Sequence, residues 1–568
     1  MVISKDILIL MKLEAKAYNT LPDILNLIQE GQDLTNLPVQ PLYTALKAAT
    51  PSQVASCLDK FSLRQRQIFL DLDLWQKDDL DLESFEFWIT CYSLVEQDEI
   101  REGFAKSSEF HLFLKAKFNV WTFDQEEPEY PEHNNYFLSD DYLLLFEYDD
   151  SFEYASEVQA LIRSLYSEWG QENAYTFLFK LTVDSFLIMQ ETEYQQKSDR
   201  LLDSGFLDYY QALELFSTFP NISWIEHFVR SRVPNTSTID LFGKQQLLSS
   251  NAIAPYTDQM DRVREELVRV KDSKRSDYLY FNFIRFVNGS LSLENALKQG
   301  PLTISTIGKE ARGWMQLGFS YVLEQRVFTD EDEGIFGSFD FIDLYRIGKS
   351  LVQLELKKIK RVLTEHHHQK IEARSFLGRY LNEIIDDSLE RPPSLSRRES
   401  ESQTINKVEY YRDWQPLVEL VVEIQPFVAA LELEFKSLVE DQRVMDEFYF
   451  NYKVEQIDFE AVMISSFANF LLETNKAGQQ KMGLTLDEFK QFVALVVDSK
   501  IGKVSNLESL TNSIDSFIIN FGMNKVKNIT QYMLDILRDQ LEGYDYGALG
   551  DKDFQYIGGA IILSPNSR

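Results

Sequence analysis

The sequence predicts a mainly α fold: a multi-domain stack of helices, superhelix-like in its N-terminal part, with a small β hairpin or sheet inserted near residues 118–148. Three observations lead there. The chain has 568 residues, more than one hydrophobic core accommodates, so several domains are expected. Apolar residues recur at three- and four-residue spacing through most of its length, the period of an amphipathic helix. Between residues 118 and 148 that period gives way to short alternating, aromatic-rich runs broken by turn residues.

Taken in order, residues 13–115 read as consecutive short helices. Leu21-Pro22 and Leu37-Pro38 each open a helical segment, with Pro in the first turn where its missing N–H costs little. Thr50-Pro51 pairs an N-cap with Pro at the first helical position, and Ser62 offers another cap. Val54, Leu58 and Phe61, then Ile68, Leu72 and Trp75, then Phe85, Trp88, Ile89 and Tyr92 keep the helical spacing. Short helices joined at Pro-marked corners suggest a right-angled stack, similar to the acidic helical superhelix at the N-terminus of some magnesium transporters. Phe118–Phe123 reads as a strand, Glu126 to Glu132 as a loop, and Tyr136–Leu138 with Tyr142–Tyr148 as a hairpin around Ser139-Asp140-Asp141. The helical period returns from Val158 to Phe219. Residues 233–258 are polar and aperiodic, and a further helical block runs from about 259 to 390. Arg391-Pro392-Pro393-Ser394 through Gln403 reads as a linker. Helices resume from 405, and Tyr556–Leu563 reads as a terminal strand. The expected domains are therefore 1–235, helical with the β insertion; 236–390, helical; a linker at 391–404; and 405–568, helical.

Composition narrows the function. The net charge is −33, with 90 acidic against 57 basic residues. Such a charge repels nucleic-acid phosphates and anionic lipid, and favours basic partners or divalent cations. The 41 Phe and 27 Tyr fit either dense cores or an exposed aromatic partner surface. The two cysteines, Cys57 and Cys91, make no disulfide framework and form no CxxC pair, which points to a reducing compartment. The first twelve residues lack a basic n-region and a small-residue cleavage site, and no apolar run approaches the ~18 residues of a membrane span. A cytoplasmic location is expected.

No GxSxG, HExxH or strand-borne GxGxxG is present. Ile347-Gly348-Lys349-Ser350 ends like a phosphate-binding loop, but Asp343 stands where the first glycine is required, inside a helical pattern. No catalytic residue is assigned. Three constellations remain. Asp71, Asp73 and Asp78, in the run Leu70–Asp81, offer carboxylates to a hard divalent cation. They fail the EF-hand pattern at Trp75, Gln76 and Leu82, and helix capping by Asp79 or Asp81 accounts for part of the run. Glu191, Tyr194 and Arg200 suggest a ligand cleft, with Arg200 paired to Glu191 or Asp203 until an anion competes for it. The same stretch also reads structurally: Gly205 as a left-handed helix cap, Phe206 closing the contact and Asp208 capping the next helix. Lys357, Lys358, Lys360 and Arg361, ahead of His366-His367-His368, form a basic helix face that is either solvated or docks an acidic partner or RNA.

Four segments in order, Leu70–Trp88, Arg200–Glu214 preceded by Glu191 and Tyr194, Asp343–Leu351, and Glu390-Arg391-Pro392-Pro393, resemble an uncharacterised bacterial family, a domain of unknown function best represented in deltaproteobacteria. The resemblance spans nearly the full chain. It implies a mostly helical, soluble, cytoplasmic protein and supplies no activity. The reading that follows is a non-enzymatic scaffold or regulatory protein that binds protein partners through an acidic helical surface. It needs no cofactor, nucleic acid is a disfavoured partner, and the oligomeric state stays open. The competing reading is a carboxylate-metal-dependent enzyme or small-ligand sensor, using the aspartates above or the acids of 330–333 with a divalent cation.

Overall fold

A computed structural model of the chain describes residues 26, 33–36, 39–123, 130–234, 261–329, 331–365, 374–399, 402–440, 453, 456–475, 481–498, 500–523, 527–544, 546, 549–550 and 559–563. The expectations for Met1–Lys12, Leu21-Pro22, Leu37-Pro38, residues 126–129 of the expected loop, the boundary region beyond residue 234, His366–His368 and residues 556–558 lie outside these residues. The fold is mainly α with a few small antiparallel sheets. The chain divides into two units, residues 1–348 and 349–568.

In the first unit, helices α1 (Val39–Lys47), α2 (Pro51–Ala55) and α3 (Leu63–Asp73) lead into a two-stranded hairpin, β1 (Trp75–Gln76) and β2 (Asp79–Leu80). Their starts are written locally. Thr50 and Ser62 each form a capping box, with Gln53 and Gln65 returning the second bond. The hairpin turns through Lys77 in the left-handed region (φ 62°). Asp81 then caps α4 (Leu82–Ser93), accepting from the Ser84 N–H at 3.1 Å. Helices α5 (Asp98–Ala105) and α6 (Ser108–Lys117) follow. Ser107 caps α6.

The β insertion is a three-stranded antiparallel sheet, β3 (Asn119–Thr122), β4 (Tyr136–Leu138) and β5 (Leu144–Glu147), with β5 in the middle. Its inner face is an aromatic cluster. Phe118 lies 5.8 Å from Phe137, 5.9 Å from Tyr148 and 5.4 Å from Phe152, ring centre to ring centre. Much of the aromatic content is thus spent on packing. Helices α7 (Ala155–Trp169), α8 (Gln171–Val183), α9 (Phe186–Asp203), α10 (Tyr209–Leu215) and α11 (Ile222–Ser231) come next. The unit continues with α12 (Asp261–Val268), α13 (Ser273–Leu293), α14 (Ala296–Gln299), α15 (Pro301–Gln325), α16 (Ile335–Ser338) and the start of α17 (Phe341–Glu365).

The junction of α9 and α10 follows the sequence reading. Gly205 adopts φ +76° and Phe206 N–H closes back on the Leu201 carbonyl at 2.9 Å. Asp208 caps α10 in a box with Gln211. The run 343–350 lies wholly within α17, so it forms no phosphate loop.

The second unit holds α18 (Gly378–Leu389), α19 (Tyr411–Glu423), α20 (Gln425–Val439), α21 (Phe459–Leu471), α22 (Leu486–Val496), α23 (Leu507–Asn520) and α24 (Lys527–Leu541). Where a linker is expected, Ser394–Glu399 (β6) pairs with Ser402–Lys407 (β7) in antiparallel register. Polar residues suit a hairpin whose ladder bonds are made by the backbone, so Ser and charge alone do not mark a linker. A short hairpin, β8 (Val497–Asp498) with β9 (Lys503–Val504), follows α22. Of the expected terminal strand, Ile562 forms one parallel bridge with Leu484.

Helices α15 and α17 cross with their backbones in contact. A Cβ on Gly318 would stand 1.9 Å from the Leu344 carbonyl oxygen, and one on Gly348 would stand 1.8 Å from that of Trp314. Backbone atoms cannot yield as a flexible side chain does. Gly318→Ala or Gly348→Ala is therefore expected to cost about 3 kcal/mol, read as a lower urea midpoint at unchanged slope. Gly103, helical and with nothing within 4 Å of an added Cβ, is the internal control. Gly103→Ala is expected to gain ~0.5–1 kcal/mol.

Candidate functional site

A cluster of buried charge gathers where α9 packs against α3 and α6. Along α9, Glu193, Lys197 and Arg200 recur at i, i+4 and i+7, so one helix face carries all three inward. Arg200 Nε donates to Asp71 Oδ2 at 2.9 Å, and its Nη2 donates to Asp71 Oδ1 at 2.7 Å. The same Nη2 lies 2.6 Å from Glu193 Oε1 and 3.2 Å from Glu109 Oε1. Asp71 lies in the last turn of α3, Glu109 in the first turn of α6, and both are buried with Glu193. Gln67, one turn before Asp71, donates to Glu109 and also reaches Asp71 at 3.4 Å.

Three carboxylates around one guanidinium leave an electrostatic surplus, and the proton affinities of Glu109 and Asp71 are raised. Burial pushes the Glu109 carboxyl up to about 8, and the neighbouring Glu193 and Asp71 charges add to the effect. Burial also raises Asp71, against the Arg200 hydrogen bonds that lower it. For Arg200, burial works against the charge, but Asp71 and Glu193 more than offset it. Burial thus favours the neutral form of Glu109, while Asp71 and Glu193 share Arg200.

One helical turn along, Lys197 is buried under two rings, 4.4 Å from the Tyr194 ring centre and 5.0 Å from that of Trp75. Burial brings its amine down to about 8. Burial, then Asp208, raises the Tyr194 phenol. Ser198 donates to Asp208 at 2.5 Å and accepts from Gln211 at 2.9 Å, which ties α9 to the cap of α10.

The aspartates expected to share a cation are held apart. Asp73 accepts from Tyr43 Oη at 2.8 Å, Lys47 Nζ at 2.9 Å and Trp88 Nε1 at 2.6 Å. Residues two apart on a helix point to nearly opposite faces, so Asp71 and Asp73 cannot converge. Asp78 lies exposed in the hairpin turn and accepts from Tyr210 Oη at 3.1 Å. Among the described residues, the metal-capable side chains whose ligand atoms come within 4.8 Å of one another are Asp71, Glu109 and Glu193. Only the first of these was singled out by sequence.

The expected ligand set also redistributes. Arg200 and Tyr194 lie on the buried face of α9, whereas Glu191 is exposed and accepts from Gln195 at 2.8 Å. Nine helical positions separate Glu191 from Arg200, which puts it about 180° around the helix; Glu193, at seven, takes its place. The basic residues Lys357, Lys358, Lys360 and Arg361 lie on α17. Lys358 Nζ donates to both Glu355 oxygens at 2.9 Å, and Glu355 also accepts from Tyr411 at 2.7 Å. Lys357, Lys360 and Arg361 are exposed. Of the 330–333 acids, Asp332 accepts from the Thr329 N–H and hydroxyl, an ordinary turn.

The Glu109 shift has a defined sign. Its folded-state value lies above the ordinary glutamate value of 4.5, so the folded chain binds the extra proton and loses this advantage as pH rises. The stability difference between the native chain and Glu109→Gln is expected to move against the native chain from about pH 4.5 to pH 8. Its steepest slope should be about 1.4 kcal/mol per pH unit, and it should be flat outside that window. Urea midpoints measured across pH check it; a difference independent of pH contradicts the burial of Glu109 as a neutral acid.

No curated protein and no solved structure matches the chain. A family model described as a family of unknown function (DUF6178) matches residues 13–562. With nearly the whole sequence matched, the chain belongs to that family.

Proposed function

We propose that this chain is a cytoplasmic scaffold or regulatory protein that binds a basic protein partner through its acidic helical surface. The observation that carries the reading is the placement of its charge. The net charge of −33 has little outlet in the interior, where the buried acids of the central cluster are taken up by Arg200 and Asp73 by three donors. The surplus carboxylate therefore belongs to the surface, where it steers association with cations and repels phosphate polymers and anionic lipid. Among the described residues no helix is long and apolar enough to cross a membrane. Both cysteines are buried thiols, and burial pushes Cys57 up to about 12, which suits a reducing compartment without requiring one.

A second reading, a cation-dependent enzyme or small-ligand sensor, is favoured by one feature: the Asp71, Glu109 and Glu193 oxygens lie within 4.8 Å of one another. A divalent cation there would have to compete with Arg200 and strip the Glu109 proton.

Two measurements separate the readings. Affinity capture on the tagged full-length chain is expected to retain a discrete basic protein at low salt and release it as ionic strength rises; no stoichiometric partner at low salt contradicts the scaffold reading. A thermal-shift titration with Mg²⁺, Ca²⁺, Mn²⁺ and Zn²⁺ is expected to be flat. A saturable rise that Glu109→Gln abolishes would replace the scaffold reading with the cation-dependent one.

A further inference from the structure

We infer that the corner between α8 and α9, together with the acidic rim of the cleft beside it, is the docking surface for a basic amphipathic segment of a partner protein. The inference rests on the partner-binding reading above and gives it a place. Tyr175, Phe179 and Val183 follow at four-residue steps along α8, and the Tyr175 and Phe179 rings stack at 5.7 Å. Past the corner at Asp184-Ser185, α9 opens with Leu187 and Ile188. Val183, Leu187 and Ile188 are 70%, 73% and 69% exposed. Single exposed apolar residues need no explanation, but three large ones within six positions at one helix corner form a patch that costs solubility unless it is used.

The cleft adjoins it. An open cleft of about 360 Å³ lies between the C-terminal end of α6 and the sheet, lined by Lys115, Lys117, His133, Glu147, Asp149 and Asp150 among others. Lys115 joins cleft and corner, for its Nζ donates to the Leu181 carbonyl, two residues before Val183. The cleft's cations are engaged: Lys115 in that bond and Lys117 with Glu86 at 3.4 Å. His133 faces Glu147 at 3.0 Å, and its Nδ1 accepts from the Asn135 N–H at 3.2 Å. Asp149 and Asp150 stand exposed at the rim. The volume suits one or two long side chains.

Charge selects the occupant. Between residues 115 and 197 the sequence has seventeen Asp and Glu against five cations, Lys115, Lys117, Arg163, Lys180 and Lys197. A second copy of this chain, itself at −33, would be repelled, as would an anionic membrane. A polypeptide with Lys or Arg beside apolar anchors satisfies both halves: cations on the rim carboxylates Asp149 and Asp150, apolar side chains on the corner.

The test uses the full-length chain and three fluorescent peptides: an amphipathic Lys/Leu helix, a scrambled peptide of the same composition, and the Glu-for-Lys counterpart. The variants are Leu187→Asp/Ile188→Asp and Asp149→Asn/Asp150→Asn, with Leu433→Asp, an equally exposed leucine of the second unit, as control. Aspartate in the first turn of α9 is compatible with the helix, and circular dichroism confirms the fold. The amphipathic cation is expected to bind saturably and at least tenfold more weakly to Leu187→Asp/Ile188→Asp. Asp149→Asn/Asp150→Asn should flatten the salt dependence, and Leu433→Asp should change nothing. Salt-sensitive binding that ignores Leu187→Asp/Ile188→Asp, or equal binding of the scrambled peptide, overturns this site while leaving the acidic-surface reading intact. No binding of either cationic peptide at any salt overturns both. Self-association of the native chain in sedimentation, abolished by Leu187→Asp/Ile188→Asp, would assign the corner to a second copy and overturn the proposal.

Discussion

Arg200 is the charge on which the middle of the first unit depends. Its guanidinium draws Asp71 from α3, Glu109 from α6 and Glu193 from its own helix into one contact set. None of these carboxylates reaches water easily, and burying an uncompensated one costs several kcal/mol. The packing of α9 on α3 and α6 is therefore inseparable from that one side chain, and so is the placement of everything α9 carries further along. Lys197 under its two rings, Ser198 on Asp208, and the start of α10 all follow from the same helix face.

The cluster has the marks of a functional site, with perturbed proton affinities and converging carboxylates, yet it also has a purely structural account. Arg200 meets every carboxylate, and burial, by favouring the neutral form of Glu109, reduces the charge that Arg200 leaves over. By contrast, the corner after α8 and the adjoining cleft hold exposed apolar and acidic groups whose presence the packing of the unit does not require. That contrast, a centre closed on itself beside a surface left open, is what turns the reading toward binding and away from chemistry.

Much of the fold was legible because its signals are local. The caps at Thr50, Ser62, Asp81 and Asp208, the left-handed Gly205 and the three strands of the β insertion are each written within a few residues. The site was legible only in part. Arg200 stood out, but its partners lie 129 and 91 residues away in sequence, and no spacing rule reaches that far. Glu109 looks like an ordinary first-turn acid of α6. The i, i+4, i+7 placement of Glu193, Lys197 and Arg200 was available and would have chosen Glu193 over Glu191. The hairpin at 394–407 was hidden for another reason: its serines and charges make the composition of a linker, while the ladder that orders it is made by the backbone.

The most direct test of this account is a mutant cycle at the Arg200 contact. Arg200→Met alone is expected to lose about 3–5 kcal/mol of urea stability, because it strands buried carboxylates. Adding Asp71→Asn and Glu193→Gln, which keep shape and remove charge, is expected to recover most of that loss. Recovery would show that the cluster is a self-compensating structural contact. If the three losses instead add to within ~0.5 kcal/mol, the groups are not coupled, and the claim that one arginine holds this centre together fails.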